Sequence, residues 1–448
     1  MNNSNNPRRN FLSMATVVLA VAMTLTACAP PAAAPAAKPA EAAKATEAPA
    51  AASESGGKTV TFWSRDGFQQ IVNPVIEAWN KAHKDQIKPT FIPGDQFVQK
   101  FSTALAGGDV PDLVAVDLIY VPAYSAAGQM TDITDLAKSL PFFDKLSPSH
   151  VRLGSYDGKV YALPFNAEGS VLIYNKNLFK KAGLDPEKPP TTWDEMYQAA
   201  KKVTALGDGN YGFYFSGACA GCNAFTFLPY IWASGGDVIS EDGKSATVAS
   251  SKPVKDALEF YKKMWDEKLI PESAKADNGS DFFNTFTSGK IGMVGTGAFG
   301  IAAMKKDHPD IEFGISPLPG KDGKSSSFAG GDCIGIPKGS KNVKEAFEFL
   351  TFFLNEDVQV ENLAKAGGLP LRLDLVDNKY SKADPRYITV ANAMFKEGRT
   401  PYLLPYNQIF NDGNGPWLAM IQKAVFDGKV DEAIADGQEA FTKILTSK

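Results

Sequence analysis

Residues 156–177 read YDGKVYALPFNAEGSVLIYNKN, a stretch that combines a tight turn with a long extended segment. The Asp157-Gly158 dipeptide is typical of two-residue hairpin turns, so a hairpin is predicted from Tyr156 to Leu163. A long strand is predicted from Glu168 to Tyr174, followed by a helix from Lys176 to about Ala182. The stretch therefore places a strand directly before a helix, as α/β folds do.

The residues before this stretch alternate strands with helices. Helical spacing of apolar residues predicts a helix from Gln69 to about His83. Asp95 is the expected N-cap of a second helix, which Gly107-Gly108 should end. Three short apolar runs predict buried strands around these helices: Lys58 to Trp63, Ile87 to Ile92 and Asp112 to Val116. The sequence thus predicts a βαβαβ unit.

The residues after the stretch keep the same alternation. Thr192 and Glu195 have the spacing of a capping box at the start of a helix. The last part of the chain, from about Pro385 to Leu445, is predicted to be mostly helical. Later strands are expected at Ile291 to Val294, Ile311 to Ser316 and Ile334 to Ile336. The pattern predicts α/β lobes with sheets rich in parallel strands.

The N-terminal 57 residues resemble an export signal followed by a tether. An apolar stretch from Met14 to Leu25 is too short to span a bilayer permanently and leads into Leu-Thr-Ala-Cys28. Residues 1–28 are therefore predicted to be a lipoprotein signal peptide, with lipid on Cys28. Arg8-Arg9 leaves general and twin-arginine export both open. Residues 29–57 are mostly Ala, Pro, Glu, Lys and Ser, a composition that predicts a disordered tether.

Residues 58–448 have the composition of a soluble body of about two domains. The whole chain has 448 residues, is 44% apolar and carries a net charge of -4. Because Lys and Arg form no block, nucleic acid is not an expected partner. The spacing of Cys219 and Cys222 would allow a local disulfide, and Cys333 is expected to be free and buried.

Known motifs give little support for a cofactor or a metal. The glycines of Gly295-Thr-Gly-Ala-Phe-Gly300 follow a predicted strand, but the next strand does not end in the acid that binds ribose in dinucleotide folds. We interpret the motif as a glycine loop that holds Phe299 at the mouth of a pocket. The histidines lack metal-ligand spacing, so neither metal nor cofactor is expected. A catalytic pair of carboxylates stays open, because 50 acidic residues offer many pairs.

Polar and aromatic residues follow predicted strands at the points where they end. Trp63-Ser-Arg65-Asp66 ends the first strand, and Asp117 ends the third. In open α/β sheets, ligands lie beyond the carboxyl ends of the strands. An aromatic ring can stack on the apolar face of a sugar, while carboxylates and Arg bind its hydroxyls. These positions therefore favour a carbohydrate ligand, although each Trp is also suited to core packing.

The stretch from Tyr156 to Asn177 resembles the extracellular solute-binding proteins of bacterial carbohydrate ABC importers, the maltose-binding-like family. The resemblance covers essentially residues 58–448 and is carried by further segments in family order: Pro190 to Glu195, Phe225 to Gly236, Phe283 to Phe299, Phe328 to Ile336 and Ala424 to Ala440.

The resemblance implies an α/β periplasmic-binding-protein fold, with two lobes, a hinge and a cleft between them. Lobe 1 is expected at about 58–165 plus 300–367, and lobe 2 at about 166–299 plus 368–448. The chain should cross between lobes near Asn166, between Phe299 and Phe328, and near Gly367 to Pro370. A monomer is expected to close on a sugar and deliver it to ABC permease subunits, lipid-anchored at the outer face of the cell membrane or in the periplasm.

The resemblance also implies roles for individual residues. Glu168 stands where the family often has a sugar-binding acid, and Trp232 and Trp417 lie near its cleft aromatics. Phe299 replaces the family's usual Trp with a smaller ring. The candidate set, which includes residues chosen by position alone, is Trp63, Arg65, Asp66, Asp117, Asn166, Glu168, Trp232, Gly297, Phe299, Gly331, Asp332, Arg372 and Trp417.

Two other classes of function are compatible with the sequence. An exported glycosidase or transferase would need a carboxylate pair with catalytic geometry. A structural or sensory lipoprotein would bind no small molecule. Within the binding class, a polyamine or a polyol is an alternative solute to a sugar.

The lipobox generates a direct test. Replacing Cys28 with Ser removes the only thiol that the signal offers for lipidation, so the protein should move from the membrane fraction to the soluble fraction. Immunoblotting of fractionated cells measures this change, with Cys333→Ser as the control that stays in the membrane. A Cys28→Ser protein that remains membrane-bound would contradict the anchor.

Overall fold

The first strand forms where apolar residues occupy alternate positions. In the computed structural model, which describes residues 56–447, Val60 and Phe62 are fully buried along this strand. The N-terminal elements are β1 (Thr59–Arg65), α1 (Gln69–Ala82), β2 (Gln86–Ile92), α2 (Gly94–Gly107) and β3 (Leu113–Asp117). Because β2 and β3 both run parallel to β1, the predicted βαβαβ unit is confirmed.

Helix α2 differs from the prediction at its N-terminus and agrees with it at its C-terminus. Pro93 occupies the N-cap, and Asp95 lies inside the first turn without a capping hydrogen bond, so the predicted cap was wrong. Gly108 has a φ of 75° and ends the helix as expected, because glycine reaches the left-handed region without a steric penalty.

The predicted hairpin and long strand are both present. Asp157 and Gly158 have φ values of 49° and 73°, which two-residue hairpin turns require. This part of the chain contains α3 (Val121–Ala126), α4 (Thr134–Lys138), α5 (Pro148–Leu153), β4 (Ser155–Tyr156), β5 (Lys159–Val160) and β6 (Ala162–Asn175). The strand β6 begins earlier than predicted, and all of its residues except Glu168 are buried.

The capping box at Thr192 is half formed. The hydroxyl of Thr192 accepts a hydrogen bond from the N–H of Glu195 at 3.2 Å, but the Glu195 carboxylate accepts from Thr191 instead of from Thr192. The elements here are α6 (Lys176–Lys181), α7 (Trp193–Thr204), β7 (Tyr211–Tyr214), α8 (Ala220–Thr226), α9 (Leu228–Ala233), α10 (Lys252–Asp266), α11 (Asn284–Thr287) and β8 (Ile291–Gly297).

The C-terminal third returns to the sheet before it becomes helical. Its elements are α12 (Phe299–Asp307), β9 (Phe313–Ser316), β10 (Leu318–Pro319), β11 (Ser325–Gly335), α13 (Val343–Phe353), α14 (Lys379–Ala383), α15 (Arg386–Asn392), β12 (Gly398–Arg399), α16 (Pro416–Val425) and α17 (Val430–Thr446). The predicted late strands and the helical end are therefore present, with β11 longer than expected.

The main sheet is mixed, with strand order β2-β1-β3-β11-β6-β8-β7. The pairs at its ends are parallel, but β11 is antiparallel to both β3 and β6, and β6 is antiparallel to β8. The expectation of parallel-rich sheets was therefore wrong at the centre. The late strand β11 completes the N-terminal unit because it lies directly beside β3.

Strand β6 changes partners along its length. Its first half, from Ala162 to Gly169, pairs with β11, while Ser170 to Tyr174 pairs with β8 and the last residues also pair with β9. One continuous strand thus belongs to two differently paired regions. The lobe boundaries stay a prediction.

Two buried apolar clusters flank the sheet. One includes Phe62, Trp79 and Phe349, and the rings of Trp79 and Phe349 lie edge to face at 5.5 Å. The other includes Tyr261 and Trp417 among the helices that follow β6. Each fully buried aromatic side chain of this kind stabilises the fold by about 1.5 to 3 kcal/mol.

Several expectations concern the ends and the cysteines. The predicted signal peptide, Cys28 and the tether up to residue 55 lie outside the described residues. Cys219 and Cys222 form a disulfide, and Cys333 is a buried free thiol. Between residues 56 and 447, no helix combines the length and apolar character that crossing a bilayer requires.

Candidate functional site

A cavity of about 460 Å³ lies at the carboxyl ends of β1 and β3, where β6 and β11 pass. We call it the cleft cavity. Its volume falls within the range of small-molecule sites, about 300 to 1,000 Å³. Its lining residues are Arg65, Phe68, Asp117, Ile119, Asn166, Glu168, Gly221, Phe225, Phe299, Phe328, Gly330, Gly331, Tyr406 and Asn411.

Three polar residues form a row across neighbouring strands beside the cavity. Asp332 on β11 pairs in register with Asp117 on β3 and with Asn166 on β6. The Asp332 side chain is only 1% exposed, and its Oδ1 accepts a hydrogen bond from Arg65 Nη2 at 2.6 Å. Arg65 Nη2 is also 4.0 Å from Asp117 Oδ2. One guanidinium therefore lies between two carboxylates.

A buried histidine supports this row from behind. His150 Nε2 lies 2.8 Å from the Asn166 carbonyl oxygen, and His150 Nδ1 lies 2.8 Å from the Ser147 hydroxyl. Burial lowers the pKa of His150 to about 4, so the ring is neutral, with one N–H for the carbonyl. Gly331 has a φ of 124°, and a Cβ there would lie 1.9 Å from the Asn166 oxygen. Only glycine fits this close approach of the two strands.

Glu168 is the least satisfied charged group of the cavity. Its Oε2 atom is buried and has no hydrogen-bond partner among the described residues. Burial raises the pKa of Glu168 to about 7, although the N–H groups of Phe299 and Ala298 act in the opposite direction. A Cβ on Gly297 would lie 3.1 Å from this oxygen, so that glycine gives the carboxyl room.

The carboxyls near Arg65 also have shifted pKa values. Burial raises the pKa of Asp117 to about 6; Arg65 lowers it and Asp332 raises it further. Burial disfavours the charge of Arg65, but Asp332 and Asp117 raise its pKa overall. Arg65 therefore stays charged, while Asp117 and Glu168 titrate close to neutral pH.

Aromatic rings cover the remaining walls. Phe225 and Phe328 lie with ring centroids 5.7 Å apart, and Phe299 is 43% exposed at the start of α12. Arg65 lies over the Phe68 ring at 5.3 Å, which fixes both side chains at the end of β1. The cavity thus combines buried oxygen acceptors with aromatic faces, the combination that binds polyhydroxylated rings.

Seven of the candidate residues gather at this place. Arg65, Asp117, Asn166, Glu168, Phe299 and Gly331 line the cavity, and Gly297 lies directly behind Glu168 and Phe299. Asp332 is not a lining residue, but it binds Arg65 through its carboxylate. The strand-end argument therefore brought Arg65 and Asp117 to one cavity, and their role in ligand binding stays a prediction.

Other candidate residues lie elsewhere. Trp63 is half-buried beneath Lys100, whose ammonium is 5.5 Å from the ring, and it does not line the cavity although it shares a strand face with Arg65. Asp66 is exposed to solvent outside the cavity. Trp232 is 4% exposed and stacks behind Phe328 at 6.0 Å, so it supports the wall without forming it.

Two further candidates are corrected by their burial and contacts. Trp417 is 0% exposed and packs between Phe227 and Phe410, so it belongs to the core instead of the cleft cavity. Arg372 forms a double hydrogen bond with Asp374, and its guanidinium lies over a phenylalanine ring. Neither residue lines the cavity.

Sequence reasoning missed most of the aromatic and loop contributions. Phe68 follows β1 by three residues, so the strand-end rule could have identified it. Phe225 and Phe328 lie in segments that carried the family resemblance, but no pattern singled out those two rings. Tyr406 and Asn411 flank and end a short π-helical turn, Asn407–Asn411, whose position depends on tertiary packing.

Two larger cavities lie away from Arg65, Asp117 and Glu168. One of about 560 Å³ lies beside Thr191 and is lined mainly by the start of α7 and the loop before it. Another of about 640 Å³ lies beside Trp232 and Arg399. Within residues 56–447, no group of three or more His, Cys, Asp and Glu side chains is placed to hold a metal ion.

The raised pKa of Glu168 predicts that the stability of the folded protein depends on pH. The ordinary value of 4.5 rises to about 7 in the fold, so the folded state holds its proton to higher pH than the unfolded state. The free energy of unfolding should therefore fall as the pH rises from about 4.5 to 7. Glu168→Gln removes this titrating group. The free energy of unfolding of the variant, relative to that of wild type, should therefore increase by roughly 1 to 3 kcal/mol from pH 5 to pH 8.

Denaturant unfolding of both proteins at the two pH values measures the difference. Glu356→Gln is the matched control, because Glu356 is exposed and should show no such change. If the difference in unfolding free energy between Glu168→Gln and wild type is the same at pH 5 and pH 8, burial does not shift the pKa of this carboxyl.

Comparison with known proteins places this geometry in a family. The chain is 29% identical over 324 residues to the diacetylchitobiose-binding protein DasA of Streptomyces coelicolor, covering 70% of this chain and 73% of that protein. It is 26% identical over 347 residues to an arabinooligosaccharide-binding protein of Bacillus subtilis, covering 75% and 78%.

A solved structure is similar over nearly the whole described body. The ABC transporter solute-binding protein of Thermotoga lettingae, bound to α-D-tagatose, superposes with a TM-score of 0.76 at 26% identity. The match covers 87% of this chain and 100% of that protein. The α/β fold is therefore the two-lobed fold of these binding proteins.

Residues 63–360 match the profile of the bacterial extracellular solute-binding proteins, a span of well over half of the chain. This match agrees with the strand order, the cavity at the strand ends and the similarity to binding proteins. The chain belongs to the bacterial extracellular solute-binding protein family.

Proposed function

We propose that this protein captures a carbohydrate in the cleft cavity and delivers it to an ABC importer. The observation that carries the proposal is the meeting of three buried or partly buried acceptors, Asp117, Asn166 and Glu168, with the rings of Phe225 and Phe299 in one cavity. Sugar hydroxyls can donate to the acceptors, and the apolar face of the sugar can rest on a ring. The sugars bound by the similar proteins support the same class of ligand.

Capture is proposed to proceed by closure of the two lobes. The lobes are taken as 58–165 plus 300–367 and 166–299 plus 368–448, and the cavity receives residues from both ranges. The change of partners along β6 near Gly169 supports a crossing close to Asn166. Export is consistent with the family, and the proposed lipid on Cys28 would hold a monomer near its permease.

The protein is proposed to bind its sugar without converting it. The strongest feature in favour of a glycosidase is the presence of two carboxyls, Asp117 and Glu168, with pKa values near 6 and 7. The family and the similar proteins are binding proteins, which favours transport. Chromatography of each ligand after incubation with the protein decides between the two functions.

A ligand screen tests the proposal directly. Thermal unfolding of the purified full chain should shift upward with mono- or oligosaccharides, because a ligand that binds only the folded state stabilises it. Polyamines, polyols and oligopeptides belong in the same screen as competing classes. A shift with one of these classes and none with any sugar would contradict carbohydrate capture.

Loss of Glu168 should weaken binding of the sugar found in that screen. Glu168→Ala leaves a buried sugar hydroxyl without its acceptor, which costs roughly 1.5 to 3 kcal/mol, or about 10- to 150-fold in Kd. Calorimetry measures this change. Glu356→Ala, which removes an exposed carboxyl outside the cavity, is the matched control and should bind as wild type does. Equal affinities for both variants would remove Glu168 from the site.

Trp417 should affect stability and not affinity. Trp417→Ala leaves a cavity among Phe227 and Phe410, so the free energy of unfolding should fall by about 3 to 5 kcal/mol. At a temperature where the variant is folded, its Kd for the sugar should equal that of wild type. Trp417→Phe should lose less stability. A large loss of affinity with unchanged stability would mean that the ring reaches the ligand.

A further inference from the structure

The charges of the cleft cavity do not balance. Asp117 and Glu168 line it, and Asp332 lies directly behind its wall. Arg65 is the only cationic side chain among the described lining residues. When all four groups are ionised, three negative charges face one positive charge.

Arg65 cannot correct this imbalance because its charge is already engaged. Its Nη2 lies 2.6 Å from Asp332 and 4.0 Å from Asp117, which leaves Glu168 without a cationic partner. The Oε2 atom of Glu168 and the Oδ2 atom of Asp332 are buried acceptors with no hydrogen-bond partner among the described residues. Among the described lining residues, Nε of Arg65 is the one buried donor without a partner. Because the one cation of the lining is already paired, the cavity favours a ligand that brings positive charge and a donor to Glu168.

A protonated amine supplies both requirements. An ammonium group has three donors and no acceptor, and its hydrogen bonds to a carboxylate are about twice as strong as neutral ones. A hydroxyl at the same place can satisfy Glu168, but it leaves the excess negative charge in a poorly solvated cavity. Phosphate or carboxylate groups on a sugar would add repulsion. The aromatic faces of Phe225, Phe299 and Tyr406 are compatible with a nearby cation.

We propose that the solute is an amino sugar whose protonated amine binds between Glu168 and Asp117, and that sugars bearing phosphate or carboxylate groups are excluded. This inference rests on the proposed capture of a carbohydrate in the same cavity. It narrows the ligand from sugars in general to a cationic class. Burial also holds the pKa of Glu168 at about 7 without a ligand, and a bound ammonium would bring that carboxyl to its charged form.

Matched sugars isolate the charge. Calorimetry at pH 7 would compare glucose, galactose and mannose with their 2-amino, N-acetylated 2-amino and 6-phosphate forms, together with cellobiose and its diamino analogue. The amino form of at least one series should bind about tenfold more tightly than its hydroxyl and N-acetyl forms, and no phosphate form should bind. Raising the salt concentration should weaken the amine preference more than the binding of a neutral sugar.

Two variants test whether the preference comes from the cavity. Glu168→Gln keeps the size of the side chain and removes its charge, so the amine preference should shrink toward unity while folding is retained. Asp95→Asn is the control, because Asp95 is an exposed acid that does not line the cavity. It is still close to the site, since a Cβ added to its neighbour Gly94 would lie 4.0 Å from the Arg65 side chain. Asp95→Asn should keep the full preference.

The outcomes separate this inference from the proposed function. If a neutral, acetylated or phosphorylated sugar binds as tightly as or more tightly than its amino form, the amine inference is wrong while carbohydrate capture stands. If no sugar of the panel or of the wider screen binds, carbohydrate capture is wrong and the inference falls with it. A preference that persists in Glu168→Gln would also overturn the assignment of the amine to this carboxyl.

Discussion

The burial of the Asp332 carboxylate is the constraint on which the site depends. A buried charge needs a counter-ion, because an uncompensated one would cost several kcal/mol. Arg65 meets this need at 2.6 Å and thereby connects the end of β1 to β11. The same contact draws the guanidinium beside Asp117 and over the Phe68 ring. The position of one hidden carboxylate thus decides which charges the cavity presents and which it leaves without a partner.

The strand β6 connects this charge arrangement to the two regions of the sheet. Glu168 lies one residue before Gly169, the last position that pairs with β11, and Ser170 already pairs with β8. A contact to Glu168 therefore acts at the point where the strand passes from one set of partners to the other. Gly169 is required there, because a Cβ would lie 2.9 Å from both Val390 and Met394. Under the proposed lobe boundaries, a ligand held by Glu168 would couple binding to lobe closure at this point.

The sequence was a better guide to the polar residues than to the aromatic ones, for a physical reason. A strand's end can be read from its apolar run, and the sheet then brings Arg65 and Asp117 to the same edge. The location of an aromatic ring depends on how helices pack, which local patterns do not encode. Trp232 therefore lies one layer behind Phe328, and Trp417 lies in the core. The antiparallel centre of the sheet was missed for a similar reason, because β11 returns from far along the chain.

The unsatisfied acceptors in and behind the cavity affect the stability of the protein. Glu168 Oε2 and Asp332 Oδ2 are removed from water without a compensating hydrogen bond, so they destabilise the unliganded protein. A ligand that donates to Glu168 Oε2, which lines the cavity, removes that atom's share of the penalty when it binds. The free energy that this unsatisfied oxygen costs the unliganded protein then contributes to binding affinity, provided that a donor of the ligand reaches the oxygen. The neutral His150 and Gly331 support this exchange, because they hold β6 and β11 in close contact at Asn166, two residues from Glu168.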